Sequence, residues 1–110
     1  MPRRDELGPF ELEILETLLR HPRDAYGVSL IEWIGETTGR RPTVGALYTT
    51  LERLERKGFV RSWWGEATQV RGGRRKRLYA IDPSGAAAVR SMRAKRGTAV
   101  GLPGIIVAGA

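Results

Sequence analysis

Residues 43–64 read TVGALYTTLERLERKGFVRSWW, and a change of period inside this stretch decides the fold. Val44, Leu47, Leu51 and Leu54 recur at three- and four-residue steps, which predicts an amphipathic helix over 43–57. Thr43 is a natural N-cap and Gly58 a natural stop. From Phe59 the pattern becomes a run of β-formers, which predicts a strand over 59–64. Turning about 100° per residue, the helix face opposite the leucines carries Gly45, Thr49, Glu52, Arg53 and Arg56. Small residues at the start and cations further along suit a helix that enters a narrow groove.

Downstream, residues 78–81 (LYAI) read as a second strand, so 71–77 (RGGRRKR) is the tip of a β-hairpin. Arg71, Arg74, Arg75, Lys76 and Arg77 crowd around two glycines there. Like charges this close repel, and a fold gains nothing from gathering them unless a polyanion neutralises them. Asp82-Pro83 is a cap followed by proline at the first helical position, and a helix to about Arg96 follows. Its thin apolar stripe is Ala86, Val89 and Met92.

Upstream, two more helices are expected. The first runs to Arg20 with Pro9 in its first turn. Its apolar face is Leu12, Leu15 and Leu19, widened by Ile14 and Leu18, with Glu11, Glu13 and Glu16 on the helix surface. The second covers 25–38, with Asp24 as its cap, Leu30, Ile31 and Ile34 as its stripe, and Gly39 as its stop. The order helix, helix, helix, hairpin, helix describes a mainly α fold with a small antiparallel β-hairpin, a winged helix-turn-helix. In that architecture the motif's second helix enters the major groove and the hairpin loop follows the backbone or minor groove.

The chain has 110 residues, enough for one core. The expected division is a winged domain over 1–96 and a Gly-rich apolar tail over 97–110. Hydrophobic residues make up 41%, which is compatible with a packed core. Residues 1–60 hold 9 Lys/Arg against 10 Asp/Glu, while residues 61–110 hold 10 against 2. One side of the molecule is therefore built for an anionic partner, nucleic acid or an acidic membrane surface. There is no cysteine and only one histidine, which excludes disulfides and a zinc site with the usual ligands and suits a reducing cytoplasm. No signal peptide is visible, the apolar run 99–110 is too short to span a bilayer, and no nucleophile–base pair suggests an enzyme.

These pieces together resemble the PadR-like transcriptional regulators. Residues 7–12 (LGPFEL) with Ile14-Leu15 are similar to that family's first helix, and 26–30 (YGVSL) to its second. Residues 45–60 (GALYTTLERLERKGFV) are similar to its recognition helix and the turn into the wing. Residues 73–79 with 82–85 (DPSG) are similar to its wing and last helix. The resemblance covers residues 7–90. Thr49 and Arg75 stand where the family often has proline, and only one helix and a short tail follow the wing. The resemblance implies a dimeric DNA-binding repressor, in many members responsive to a small-molecule effector, and no cofactor. By position it implies that Thr43 and Tyr48 meet the DNA backbone. Gly45, Ala46 and Thr49 would lie against the groove, and Arg74, Arg75 and Lys76 would be wing contacts.

The residues themselves add Arg40 and Arg41, placed just before the recognition helix for phosphate or for pairing with local carboxylates. Arg53 and Arg56 are as well suited to pairing with Glu52 and Glu55 as to contacting a base. Tyr48 stands on the shoulder of its helix, able to pack its ring and offer its hydroxyl to a phosphate. Tyr79 is expected in the core. Trp63 and Trp64 are expected on opposite faces, one packed on the helices and the other partly exposed. The expectation is a cytoplasmic, sequence-specific DNA-binding repressor, a homodimer on a near-palindromic duplex operator. A sequence-neutral nucleic-acid binder and a protein-adaptor winged helix are the alternatives.

Overall fold

The computed structural model describes residues 6–66 and 75–100. Its elements are α1 (Pro9–Arg20), α2 (Gly27–Thr38), α3 (Val44–Arg56), β1 (Val60–Trp64), β2 (Arg77–Ile81) and α4 (Pro83–Val100). The arrangement is the expected winged helix-turn-helix. The tip of the wing, including Arg74, and the tail beyond residue 100 lie outside the described residues.

Helix α1 sits at the centre, packed by α2, α3, α4 and β2. Pro9 is its first residue, and the Glu11 carboxylate accepts from the Gly8 N–H at 2.8 Å. Because neighbours surround α1, its buried face is wider than the leucine stripe and turned from it. Leu12, Ile14, Leu15, Thr17 and Leu18 are buried, while Leu19, in the last turn, is exposed. Glu11 is not on an open surface. It is 5% exposed and paired with Lys57 Nζ at 2.9 Å, and Lys57 also donates to the Glu6 carbonyl at 3.2 Å. This pair fastens the end of α3 to the start of α1.

Helix α2 starts two residues later than expected. Asp24 does not cap it, because it occupies the turn before it with φ of 61°. Tyr26 takes the N-cap position, and its N–H donates to Ser29 Oγ at 2.9 Å. Gly39 closes the helix in the left-handed region, φ 82°, with its N–H on the Gly35 carbonyl. Helix α3 is capped by Thr43, whose Oγ1 accepts from the Ala46 N–H at 3.1 Å. Leu47, Leu51 and Leu54 are buried with Thr50. Val44, expected in the same stripe, is 59% exposed, since the first turn of α3 projects beyond the core.

The hairpin is antiparallel, with Val60 opposite Ile81, Ser62 opposite Tyr79 and Trp64 opposite Arg77. Val60 and Tyr79 enter the core, and the Tyr79 N–H reaches the Ala25 carbonyl at 2.9 Å, fastening β2 to the α1–α2 connection. Further out, the strands pass beyond the helices. Trp63 and Trp64 are therefore both exposed, 46% and 55%, and neither packs on the helices as expected. The Asp82 carboxylate caps α4 by accepting from the Ser84 N–H at 2.9 Å. Gly85 lets α4 approach the chain just before β1, because a Cβ there would lie 3.1 Å from the Phe59 carbonyl carbon. Ala88 and Val89 complete the core. Helix α4 continues to Val100, past the expected end at Arg96.

Candidate nucleic-acid interface

The outward ridge of α3 is open. Gly45, Ala46, Thr49, Glu52, Arg53 and Arg56 are all exposed, and nothing lies within 4 Å of where a Gly45 Cβ would stand. Tyr48 and Ala46 occupy the two shoulders of this ridge, on either side of Gly45 and Thr49. Each shoulder borders a cleft.

The first cleft, of about 480 Å³, lies between α2, α3 and the hairpin, with Tyr26, Gly27, Tyr48, Trp64, Lys76 and Arg77 in its walls. Among the described residues none of its cations pairs directly with a carboxylate. Arg75 Nε donates to the Gly65 carbonyl at 3.0 Å. Lys76 Nζ sits 4.1 Å above the Tyr26 ring, and the Arg77 guanidinium lies 5.0 Å over the Trp64 ring. Arg77 also donates to Ser62 Oγ at 2.8 Å, and Ser62 donates in turn to Glu55 at 2.7 Å. This relay ties the stem of the wing to α3. Tyr48 is 41% exposed and leans on Tyr79, ring centroids 6.4 Å apart. Burial pushes the Tyr79 phenol above its ordinary value, so that ring is a neutral backing.

The second cleft, of about 440 Å³, opens on the Ala46 side, where Arg40, Arg41 and Thr43 meet Phe10 and Glu13. The Arg41 stem packs over Gly35, where a Cβ would fall 2.7 Å from Arg41 Cγ, and its guanidinium is 3.8 Å from Glu32. Arg56 pairs loosely with Glu52 at 3.9 Å. Arg40 and Arg53 are exposed, and their side chains form no ion pair among the described residues.

The structure thus brings Gly45, Ala46, Tyr48, Thr49 and Arg53 together on α3. Arg40, Arg41 and Thr43 stand at one flank, and Arg75 and Lys76 at the other. Arg74 lies outside the described residues. Sequence reasoning missed Tyr26, Gly27, Ser62 and Glu55 as parts of this surface. The strand register offered one signal, since it places Ser62 on the same hairpin face as Arg77. Among the described residues no group of side chains could hold a metal ion, and no helix is long and apolar enough to cross a membrane.

Residues 14–91 match the model of the transcriptional regulator PadR-like family. A transcriptional regulator from Clostridium thermocellum has the same fold, with TM-score 0.67 and 25% identity over 81% of this chain and 83% of its own. A PadR-like transcription factor from Bacteroides fragilis is similar at TM-score 0.66 and 26% identity, over 81% and 82% of the two chains. A complex structure of hsRosR-S1 matches at TM-score 0.68 and 25% identity, over 87% and 78%. No curated protein matches the chain by sequence.

Proposed function

The chain belongs to the PadR-like family of transcriptional regulators, and from that premise we propose that it is a sequence-specific DNA-binding repressor acting as a homodimer. One observation carries the reading: the open ridge of α3 is flanked by Arg40 and Arg41 on one side and Arg75 and Lys76 on the other. A major groove is likewise a floor of base edges between two phosphate backbones. Small residues at the start of α3 let the helix backbone approach the bases, and Arg53 is free to reach one. Thr43, Gly45, Ala46, Tyr48 and Thr49 then lie along the groove, while Arg74 extends the wing contact.

Repression would be steric. Two copies would place their α3 helices in successive major grooves, ~34 Å apart, on a near-palindromic operator. Helix α4 supports the pairing. Gly85, Ala88 and Val89 are buried, Met92 packs partly on the core and Arg93 pairs with Glu16 at 3.3 Å, and the helix runs on to Val100, where a second copy would meet it. A small-molecule effector that altered the protomer spacing would shift the population away from the DNA-competent form.

The test is fluorescence anisotropy of labelled duplex from upstream of the protein's own gene, against a scrambled duplex at physiological salt. A preference of about 10³-fold or more supports the reading. Equal binding identifies a sequence-neutral binder, and no binding to either overturns the proposal. Sedimentation of the complex with two chains per duplex is expected, and one chain per duplex would remove the homodimer.

A further inference from the structure

We infer that Gly27 is a positioning residue: it seats the Tyr48 phenol across the first turn of α2 so that its hydroxyl meets one backbone phosphate of the duplex. The inference rests on the DNA-binding reading above and adds to it a residue with no polar side chain of its own.

Gly27 is the first residue of α2, and it is buried. Its φ is not among the left-handed ones, which belong to Gly39 and Gly58, so the backbone torsion does not demand glycine. Space demands it. A Cβ at Gly27 would stand 2.9 Å from Tyr48 Cζ and closer still to the hydroxyl. Tyr79 backs the Tyr48 ring from another side. A core tyrosine would be buried with its hydroxyl bonded, and a surface tyrosine would swing freely. Tyr48 is held at its phenol end against Gly27 while the residue as a whole stays 41% exposed, with no hydrogen bond to its hydroxyl among the described residues.

Two further groups line the same cleft as Tyr48. The opening amides of α2 receive no side-chain cap. Lys76 is held on the ring of Tyr26, the N-cap residue of the same helix. A neutral O–H donor, helix amides and an ammonium together match the charged oxygens of a phosphodiester. The occupant is sequence-neutral backbone rather than a base.

The experiment is a double-mutant cycle on the full chain: wild type, Gly27→Ala, Tyr48→Ala and the double variant. The probe is a fluorescein-labelled mixed-sequence duplex at ~50 mM salt, where phosphate contacts alone sustain binding. The added methyl must push Tyr48 aside in a buried site, so affinities are compared for the folded protein, with the melting temperature of each variant measured alongside. Each single variant should weaken binding about tenfold, the scale of a hydrogen bond to a charged group. The double variant should also lose about tenfold, because Gly27 matters only while the ring is there. The dependence of log K on log salt should keep its slope, since no cation is removed. Wild-type affinity in Gly27→Ala, or a roughly hundredfold loss in the double variant, overturns the inference while leaving DNA binding intact. A wild-type chain that binds no duplex overturns the functional reading and this inference with it.

Discussion

In and around α3, Arg41 before the helix, Arg56 at its end and Lys57 just after it each face a carboxylate: Glu32 at 3.8 Å, Glu52 at 3.9 Å and Glu11 at 2.9 Å. In the hairpin, Arg75 faces a carbonyl, Lys76 a tyrosine ring, and Arg77 a serine hydroxyl and a tryptophan ring. Both sets of side chains are oriented, but among the described residues only the first set pairs directly with carboxylates; Arg61, on β1 away from the cleft, pairs with Asp82 at 3.6 Å. A carbonyl or a ring face fixes the direction of a cation while leaving its net charge for an external anion. Of the first set's pairs only Lys57–Glu11 is buried and closes the fold, while the pairs of Arg41 and Arg56 are exposed. The wing cations are held in place for something outside the fold.

This contrast can be broken experimentally at either end. The largest expected effect is at Lys57. Lys57→Ala leaves Glu11 buried without its partner and should cost about 3 kcal/mol in urea unfolding, with the DNA affinity of the folded fraction unchanged. Unaltered stability would mean that water serves Glu11 as well as Lys57 does. Next comes the wing. Arg75→Ala with Lys76→Ala should weaken duplex binding by about 10²-fold at physiological salt and lower the salt slope by about 2, while stability moves by less than about 0.5 kcal/mol. A large loss of stability with intact binding would invert the roles of the two regions.

Smaller effects sharpen the same comparison. Thr43→Ala removes the cap of α3 and should cost about 1 kcal/mol in thermal unfolding. Glu32→Gln frees Arg41 from an exposed pair, so stability should change by less than about 0.5 kcal/mol. If Arg41 is drawn back from phosphate by Glu32, the same variant binds duplex more tightly. The smallest effect is at Asp82, whose carboxyl lies below its ordinary value because it accepts from the Ser84 N–H and hydroxyl. A lowered folded value stabilises the fold above the ordinary range and fades as pH falls through the folded value. Asp82→Asn should flatten that acid limb in a stability–pH profile, and an unchanged limb would assign it to other carboxylates.

Much of the fold was legible because its signals are local. The leucine period of α3, the Thr43 cap, the stops at Gly39 and Gly58, and the Asp82-Pro83 start of α4 each depend on a few neighbouring residues. Where expectation failed, a distant neighbour or the lack of one decided the outcome. Glu11 reads as a surface carboxylate until Lys57, 46 residues away, is brought to it. Val44 reads as core by period, yet its turn projects past everything that could cover it. Trp63 and Trp64 read as one packed and one free, but the hairpin outruns the helices at that level.

The candidate interface divides in the same way. By itself the sequence determined the winged helix-turn-helix, the outward ridge of α3 and the cationic character of the wing, since periodicity and charge are properties of a chain in order. Only the tertiary structure decided which cations are neutralised and which are merely aimed. It alone placed Gly27 against Tyr48 and joined Arg77 through Ser62 to Glu55. Those relations span elements far apart in the chain. Contact distance and available space, which set their chemistry, exist only once α2, α3 and the hairpin have packed together.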